Sequence, residues 1–145
     1  MSPGGSQSAE LMRILLVEDS LADVELTLDA LRDAKVANDV TVVRDGAAAL
    51  EHLRAHPDHA PDLVILDLNL PRLSGHEVLA AMQADELLRR IPVAVLTTSA
   101  AESDVMRTYD LGGNCFLTKP ADIDEFIHVV RSIEDFWLGL VRLPK

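Results

Sequence analysis

Short, largely apolar runs alternate along the chain with longer segments whose apolar residues recur at helical spacing. The runs occupy residues 14–17, 40–43, 63–66, 93–96 and 115–118. After the first run, Leu21, Val24, Leu28 and Leu31 repeat every three or four positions, which is the spacing of one helix face. Short strands that are apolar throughout are typical of a parallel sheet covered on both faces. The alternation therefore predicts an α/β fold with helices on each side of a parallel sheet.

Residues that favour helix N-termini precede the longer segments. The predicted helices begin at Asp19 or Ser20, at Asp45, at Ser74, near Glu102 and near Asp122. Val78, Leu79 and Met82 form the inward side of the third helix. The fourth helix ends at the Gly112-Gly113 pair, since glycine commonly terminates helices.

Length, composition and charge restrict the classes of protein. The chain has 145 residues, 48% of them hydrophobic, which is enough to bury one core. We expect a disordered lead over residues 1–10, one domain over 11–133, and an extension of the last helix over 134–145 with no output domain. The net charge of −11 disfavours nucleic acid and anionic membranes as partners, because both attract basic surfaces. No apolar run reaches membrane-spanning length, and residues 1–10 lack the features of a signal peptide.

Polar side chains follow four of the predicted strands at the point where each strand ends. Glu18 and Asp19 follow the first strand, Asp67 the third, Thr97 the fourth and Lys119 the fifth. Because the carboxyl ends of parallel strands share one edge of a sheet, these side chains are expected to converge. Like charges about 4 Å apart cost roughly 4 kcal/mol a pair at an effective dielectric of about 20, which favours binding of a cation. Oxygen ligands indicate a hard ion such as Mg²⁺.

The same edge has the chemistry of a phosphoryl site. A hydroxyl, an ammonium group and a cation around one carboxylate form a site prepared for an anion. Thr97, Lys119 and the metal ion supply these groups around Asp67. The anion implied is a phosphoryl group that is attached to Asp67 or arriving at it.

The strand-end motifs together resemble those of receiver domains of two-component response regulators. The motifs are Leu16-Val17-Glu18-Asp19-Ser20, Leu66-Asp67-Leu68-Asn69-Leu70-Pro71 followed by Ser74-Gly75, Leu96-Thr97-Thr98 and Thr118-Lys119-Pro120. The resemblance covers residues 12–133. It implies a flavodoxin-like, doubly wound (βα)5 three-layer sandwich whose parallel sheet has the strand order 2-1-3-4-5.

The resemblance implies a phosphoacceptor and a metal cofactor. It assigns Asp67 as the phosphoacceptor and Mg²⁺ as the cofactor. Asp19, Asp67 and the backbone carbonyl of Asn69 would bind the metal, and Glu18 would assist through a water molecule.

The resemblance also implies roles for residues in the fourth and fifth strands. Thr97 would donate its hydroxyl to a phosphoryl oxygen. Lys119 would pair with the phosphoryl group or, before phosphorylation, with Asp67. The Lys119–Pro120 peptide bond is expected to be cis.

The chain departs from the usual pattern of the family at two positions. Glu18-Asp19 stands where two aspartates are frequent, which should change the metal affinity only modestly. Phe116 stands where tyrosine is frequent. In the family this aromatic residue turns inward when the hydroxyl residue moves toward the phosphoryl group. Phe116 is either such a switch residue without a hydroxyl or simply part of the core.

The function implied is that of a signalling switch. A histidine kinase would transfer a phosphoryl group to Asp67, and the protein would then act as a switch or a relay. Such domains catalyse their own phosphorylation and slow dephosphorylation, so we do not expect an enzyme with an external substrate. The ending at residues 133–138 resembles small stand-alone regulators paired with phytochrome-type histidine kinases.

The last helix has a wider apolar arc than one buried side requires. On a helix over residues 123–141, Ile123, Phe126, Ile127, Val130, Ile133, Trp137 and Val141 share the expected core face. Val129, Phe136 and Leu140 form an adjacent stripe. With Trp137 beside it, this stripe predicts an interface that forms a homodimer or binds a partner. The alternative is that the tail folds back over its own domain.

Two other functions compete with the switch. A haloacid dehalogenase-like phosphohydrolase also uses an aspartyl nucleophile, but it needs a second aspartate two residues later, where this chain has Asn69, and a cap domain. A flavin-binding flavodoxin-like protein needs a phosphate loop rich in small polar residues after the first strand, where this chain has Glu18-Asp19-Ser20.

The remaining residues of chemical interest favour structural interpretations. His56 and His59 flank a loop and are expected to be solvated rather than metal-binding. His76 is expected to be an exposed residue of a surface helix. The single cysteine, Cys115, excludes an internal disulfide, suits the reducing cytoplasm, and is expected to act as a small buried hydrophobic residue.

Overall fold

The computed structural model describes residues 11–33, 37–55, 57–98 and 115–141 and, within these ranges, all side chains except those of residues 57 and 134–141. Its strands are β1 (Met12–Val17), β2 (Asn38–Val43), β3 (Leu63–Leu66), β4 (Val93–Thr97) and β5 (Cys115–Thr118). Its helices are α1 (Leu21–Arg32), α2 (Gly46–Ala55), α3 (Gly75–Gln83) and α4 (Ile123–Val141), with 3-10 turns at Pro57–His59 and Leu88–Arg90. The helix predicted from near Glu102 to Gly112 lies outside the described residues. Within the described ranges, none of the helices is long and apolar enough to cross a membrane.

All five strands form one parallel sheet in the order β2-β1-β3-β4-β5. This order confirms the predicted flavodoxin-like topology. The chain moves outward from β1 to β2 on one side and then from β3 to β5 on the other. The carboxyl ends of β1 and β3 therefore flank the point where the strand order reverses, which is where open α/β sheets bind ligands.

Both faces of the sheet are buried. Successive residues of a strand point to opposite faces, so Val64 and Leu66 contact one helical layer while Leu63 and Ile65 contact the other. The first layer contains α2 and α3, and the second contains α1 and α4. This three-layer packing explains why the central strand is apolar at every position.

The predicted inward residues whose side chains are described are buried or partly buried, except for the first residue of α1 and of α4. Val78, Leu79 and Met82 of α3 are buried, as predicted. Leu21 and Ile123 were predicted to point inward, but they are 61% and 57% exposed. Side chains tilt toward the N-terminus of a helix, so the first residue of α1 or α4 extends beyond the end of its helix.

The helix starts carry the predicted caps. Ser20, rather than Asp19, caps α1, and Ser74 forms a reciprocal capping box with Glu77 at the start of α3. Asp45 accepts a backbone N–H of α2 at 2.7 Å, and Asp122 accepts one of α4 at 3.0 Å. These local bonds fix where each helix begins relative to the sheet edge.

Candidate functional site

The ammonium group of Lys119 lies among carboxylates at the carboxyl edge of the sheet. Its Nζ donates to Glu18 Oε1 at 2.5 Å, to Asp23 Oδ2 at 2.8 Å and to Asp67 Oδ2 at 3.1 Å. Glu18 follows β1, Asp67 follows β3 and Lys119 follows β5. The side chains of these three residues are between 4% and 8% exposed. The predicted convergence of the strand ends is therefore present for these three side chains, and their charges are buried.

Lys119 is held by both its backbone and its side chain. Its backbone N–H donates to the Thr97 carbonyl at 2.8 Å, which ties the end of β5 to the end of β4. Burial alone would lower the pKa of Lys119, but its hydrogen bonds to Asp23 and Glu18 and the charge of Asp67 raise that pKa above the usual range. The ammonium group therefore stays protonated beside Asp67.

Glu18 is buried with both of its carboxylate oxygens engaged. One oxygen accepts from Lys119, and Oε2 accepts from the Ser20 backbone N–H at 3.0 Å. Burial raises the pKa of Glu18 to about 7, even though the hydrogen bonds from Lys119 and Ser20 act in the lowering direction. The Glu18 carboxyl can therefore bind a proton close to neutral pH.

The predicted phosphoacceptor, Asp67, is positioned by the backbone around it. Its N–H donates to the Val17 carbonyl at 3.0 Å, and its Oδ1 accepts the Asn69 N–H at 3.2 Å. The Gly75 N–H donates to the Leu68 carbonyl at 3.0 Å. A Cβ atom on residue 75 would lie 2.5 Å from the Asp67 carbonyl oxygen, so only glycine fits there.

Asp19 is an exposed member of the predicted set of metal ligands. Its side chain is 55% exposed, and Arg44 donates to its backbone carbonyl at 2.7 Å. Arg44 Nη2 also lies 4.0 Å from the Asp19 carboxylate. The Arg44 guanidinium group thus already lies beside Asp19.

The donor set at this edge fits a hard cation only in part. In the part of the chain that the structure describes, no three His, Cys, Asp or Glu side chains form a group that could hold a metal ion. The Lys119 ammonium instead occupies the centre of the Glu18, Asp23 and Asp67 carboxylates. Metal binding by Asp19, Asp67 and the Asn69 carbonyl, which are all oxygen donors, stays a prediction. Such a partial set suits Mg²⁺, which keeps several waters and takes one or two carboxylates.

Thr97 and Phe116 lie on neighbouring strands. Thr97 is fully buried as the last residue of β4. Phe116 is paired with Val95 in the β4–β5 register, and its partly buried side chain packs against the core on the α2–α3 side. This packing agrees with the interpretation of Phe116 as a core residue. Its role as a switch stays a prediction, as does the phosphoryl contact of Thr97.

Asp23 is the site residue that the sequence analysis missed. It lies in the first turn of α1, not at a strand end, and its Oδ2 accepts from Lys119 at 2.8 Å. The spacing Ser20-x-x-Asp23 was the available signal. Because Ser20 caps a helix that begins at the carboxyl edge of the sheet, the residue three positions later lies over the same edge.

The expected cis peptide bond before Pro120 is absent. The described part of the chain, which includes Lys119 and Pro120, has only trans peptide bonds. The prediction of a cis bond was wrong. A bond before proline favours trans by about 0.5–1 kcal/mol unless the surrounding structure imposes the other isomer.

Four predictions about other residues have different outcomes. His76 was predicted to be exposed, but it is 7% exposed because α3 begins directly against the backbone of Asp67 and Leu68. His59 is exposed, as predicted for a loop, and His56 lies outside the described residues. Cys115 is half-buried rather than buried, and it packs on the α1–α4 side of the sheet.

The predicted interface is described only at its first residue. Val129 is partly buried and packs against the core formed with α1. The side chains of Phe136, Trp137 and Leu140 lie outside the described ones. The interface on the last helix therefore stays a prediction, and Val129 is in part covered by its own domain.

Comparison with known proteins places this site in context. A family model of the response regulator receiver domain matches residues 14–131. The curated protein "Response regulator Rcp1" of Synechocystis sp. is 44% identical over 135 residues, which cover 90% of this chain and 92% of Rcp1.

Solved structures of response regulators are also similar to this chain. A phosphorylated cyanobacterial phytochrome response regulator, RcpA, is 44% identical with a TM-score of 0.85, and the match covers 92% of this chain and 99% of RcpA. The Mn²⁺-bound form of Rcp1 is 43% identical with a TM-score of 0.84, again over 92% of this chain and 99% of the other.

Proposed function

This chain belongs to the response regulator receiver domain family, and we propose that Asp67 accepts a phosphoryl group from a histidine kinase. The observation that carries this proposal is the buried contact between Asp67 Oδ2 and Lys119 Nζ at 3.1 Å. A carboxylate beside a fixed ammonium group is suited to attack a phosphorus atom whose oxygens the ammonium can then bind. Phosphorylation would switch the protein between two signalling states or make it one step of a relay.

The proposed transfer is an in-line displacement. An oxygen of Asp67 forms a bond to the phosphorus atom of a phosphohistidine while the P–N bond breaks. The electron pair of the P–N bond returns to the ring nitrogen, and the imidazole leaves neutral when its other nitrogen carries a proton. Lys119 would balance charge on the transferring oxygens, and Thr97 would donate its hydroxyl to one of them. Positioning and charge supply most of the acceleration in such transfers.

We propose that a divalent ion, Mg²⁺ in the cell, completes the site. Asp19, Asp67 and the carbonyl of Asn69 would hold it, and Glu18 would assist through water. The partial oxygen donor set and the Mn²⁺-bound form of Rcp1 support this assignment. When bound, the ion would neutralise part of the charge on the phosphoryl oxygens.

The reset would be hydrolysis on the protein itself. A water oxygen bonds to phosphorus while the P–O bond to Asp67 breaks, and the electron pair stays with the restored carboxylate. One proton of the water passes to the solvent and inorganic phosphate leaves. The domain would thus catalyse its own phosphorylation and slow dephosphorylation without an external substrate to turn over.

The aromatic residue on β5, Phe116, is proposed as the element that responds to phosphorylation. Movement of Thr97 toward the phosphoryl group would open space next to Phe116. Phe116 is only partly buried in the described structure, so an inward turn into that space would cover more of its ring. Without a hydroxyl, it would be anchored by packing alone in either position.

The partners follow from charge and resemblance. We propose a phytochrome-type histidine kinase, because RcpA, at 44% identity, is a phytochrome response regulator. The net charge of −11 argues against nucleic acid or an anionic membrane as partner. A cytoplasmic location suits a kinase partner and a single cysteine. The receiver unit would span residues 11–133, with residues 134–145 extending the last helix.

The phosphoacceptor is tested by intact mass after incubation with Mg²⁺ and acetyl phosphate. Wild type should gain the mass of one phosphoryl group, and Asp67→Asn should gain none, because the amide is not a nucleophile of comparable strength. Asp62→Asn is the matched control, since Asp62 precedes the same strand at its other end, and it should be phosphorylated like wild type. A mass gain that persists in Asp67→Asn contradicts the assignment.

We also propose that the last helix forms a homodimer interface through Phe136, Trp137 and Leu140, with Val129 at its edge. Deletion of residues 134–145 should convert a dimer into a monomer by light scattering, because the deletion removes most of the apolar stripe. An unchanged monomeric mass for both forms would rule the homodimer out.

A further inference from the structure

The carboxylate of Asp23 has no part in the phosphotransfer scheme, yet it directly contacts Lys119. Its Oδ2 lies 2.8 Å from Nζ, closer than Asp67 Oδ2 at 3.1 Å. The Asp23 side chain is 25% exposed and the Lys119 side chain is 5% exposed, so the pair is shielded from most of the solvent. An ion pair in such a place is stronger than one on the open surface.

Asp23 competes with Asp67 for the hydrogen-bond donors of Lys119. A lysine ammonium has three N–H donors. Glu18, Asp23 and Asp67 each accept from Lys119, so all three donors are in use. A phosphoryl oxygen on Asp67 can gain a bond from Lys119 only when one of these carboxylates gives up its own. Asp23 and Glu18 make the two shorter contacts and therefore hold Lys119 more firmly than Asp67 does.

The first turn of α1 fixes the position of Asp23. The Asp23 backbone N–H donates to Ser20 Oγ at 3.3 Å, and its carbonyl accepts from Thr27 Oγ1 at 2.7 Å. Thr27 is 1% exposed, so this second bond is made inside the domain. The helix dipole also favours a negative charge at this end of α1. Asp23 is thus a rigid anchor, whereas Lys119 is a long side chain that can swing between acceptors.

We propose that Asp23 is a positioning residue that holds Lys119 back from the phosphoacceptor and so sets how strongly the site attracts a phosphoryl anion. This inference rests on the proposed function. The Asp23 charge both occupies one donor of Lys119 and adds repulsion toward an incoming phosphodonor. Neutralising it should make Lys119 more available and the site more attractive to an anion.

The test compares Asp23→Asn with wild type in phosphorylation by acetyl phosphate at saturating Mg²⁺, followed by intact mass over time. Asp23→Asn keeps the size of the side chain and leaves both backbone contacts in place. Its phosphorylation rate at low acetyl phosphate should rise about fivefold, the effect of removing one partly buried charge near the site. The gain should appear mainly as a lower half-saturating concentration of acetyl phosphate, because the change concerns attraction of the anion.

Three further variants make the outcome decisive. Asp29→Asn removes the same charge from α1, where Asp29 is exposed and pairs only with Arg32 among the described contacts, and its rate should match wild type. Asp23→Glu restores the charge and should return the rate toward wild type. Asp23→Ala removes the acceptor altogether and should be at least as fast as Asp23→Asn. Damage to the fold would slow phosphorylation, so a rise cannot come from a purely structural role.

Two contrary outcomes distinguish the proposed role of Asp23 from the proposed phosphorylation of Asp67. If wild type and Asp29→Asn are phosphorylated but Asp23→Asn and Asp23→Ala are no faster, Asp23 does not restrain Lys119 and the inference is wrong while the proposed function stands. If wild type gains no phosphoryl group on Asp67, the proposed function fails and the inference fails with it.

Discussion

The two ends of β3 carry the same residue type in opposite roles. Asp62 precedes the strand and Asp67 follows it, with only the apolar Leu63–Leu66 between them. Asp62 accepts the backbone N–H of Arg13 at 2.8 Å and helps to align β1 with β3. Asp67 instead faces a buried ammonium group and a second buried carboxylate.

The difference shows how the sheet separates structural from functional charges. At the amino edge of the sheet, Arg13 is exposed and Asp62 accepts a backbone N–H. This arrangement needs little desolvation of charge and has only a structural role. At the carboxyl edge of the sheet, Glu18 and Asp67 are buried and both accept hydrogen bonds from the buried ammonium group of Lys119. Removing a charge from water costs several kcal/mol, so buried charges persist only where they satisfy each other. Charges held at that cost are candidates for function.

The largest expected effect comes from removing the buried cation. Lys119→Met leaves Glu18 and Asp67 buried without their counter-charge, which should lower the free energy of unfolding by about 3–5 kcal/mol. The loss should grow as the pH rises through about 7, where Glu18 becomes charged. Urea denaturation at several pH values measures it.

The matched variant at the other edge is Arg13→Met, which removes an exposed cation from β1. Its free energy of unfolding should change by less than about 0.5 kcal/mol, as is usual for surface positions. Equal losses in the two variants would remove the contrast between the edges.

A smaller effect is a pH dependence from Glu18. Its pKa is about 7 in the fold against 4.5 ordinarily, so the folded state binds this proton more tightly than the unfolded state does. The stabilising contribution is complete below pH 4.5 and is lost as the pH rises through about 7, with an upper limit of about 3 kcal/mol. Glu18→Gln should flatten this part of the stability profile, measured by urea denaturation in metal-free buffer.

The Asp62→Asn variant leaves Glu18 and its contacts in place, so the part of the slope that comes from Glu18 should remain. A slope that survives in Glu18→Gln would show that another group carries the pH dependence.

Most of the fold and most of the site could be predicted from the sequence, for one physical reason. Strands buried on both faces are continuous apolar runs, so the residue directly after each run is located without knowing anything else. That rule places Glu18, Asp67, Thr97 and Lys119 at one edge. The strand order itself came from the resemblance rather than from the pattern.

Most of the errors share a different cause, since they depend on how the start of a helix meets the sheet. Asp23 is in the first turn of a helix, and helical periodicity does not say which site that turn overhangs. Leu21 and Ile123 keep the inward spacing but extend past the helix start, while His76 is covered because α3 begins so close to β3. The isomer before Pro120 involves an energy difference too small for sequence to decide.

The absence of a side chain at residue 75 has a mechanical consequence. Backbone meets backbone there, because an added methyl carbon would stand 2.5 Å from the Asp67 carbonyl oxygen and 2.6 Å from Leu68 Cα. No side chain lies between the Asp67 backbone and the start of α3, so a displacement of one backbone segment must displace the other. A saturation library at this one codon should yield active protein only from glycine, whatever the size or polarity of the alternatives.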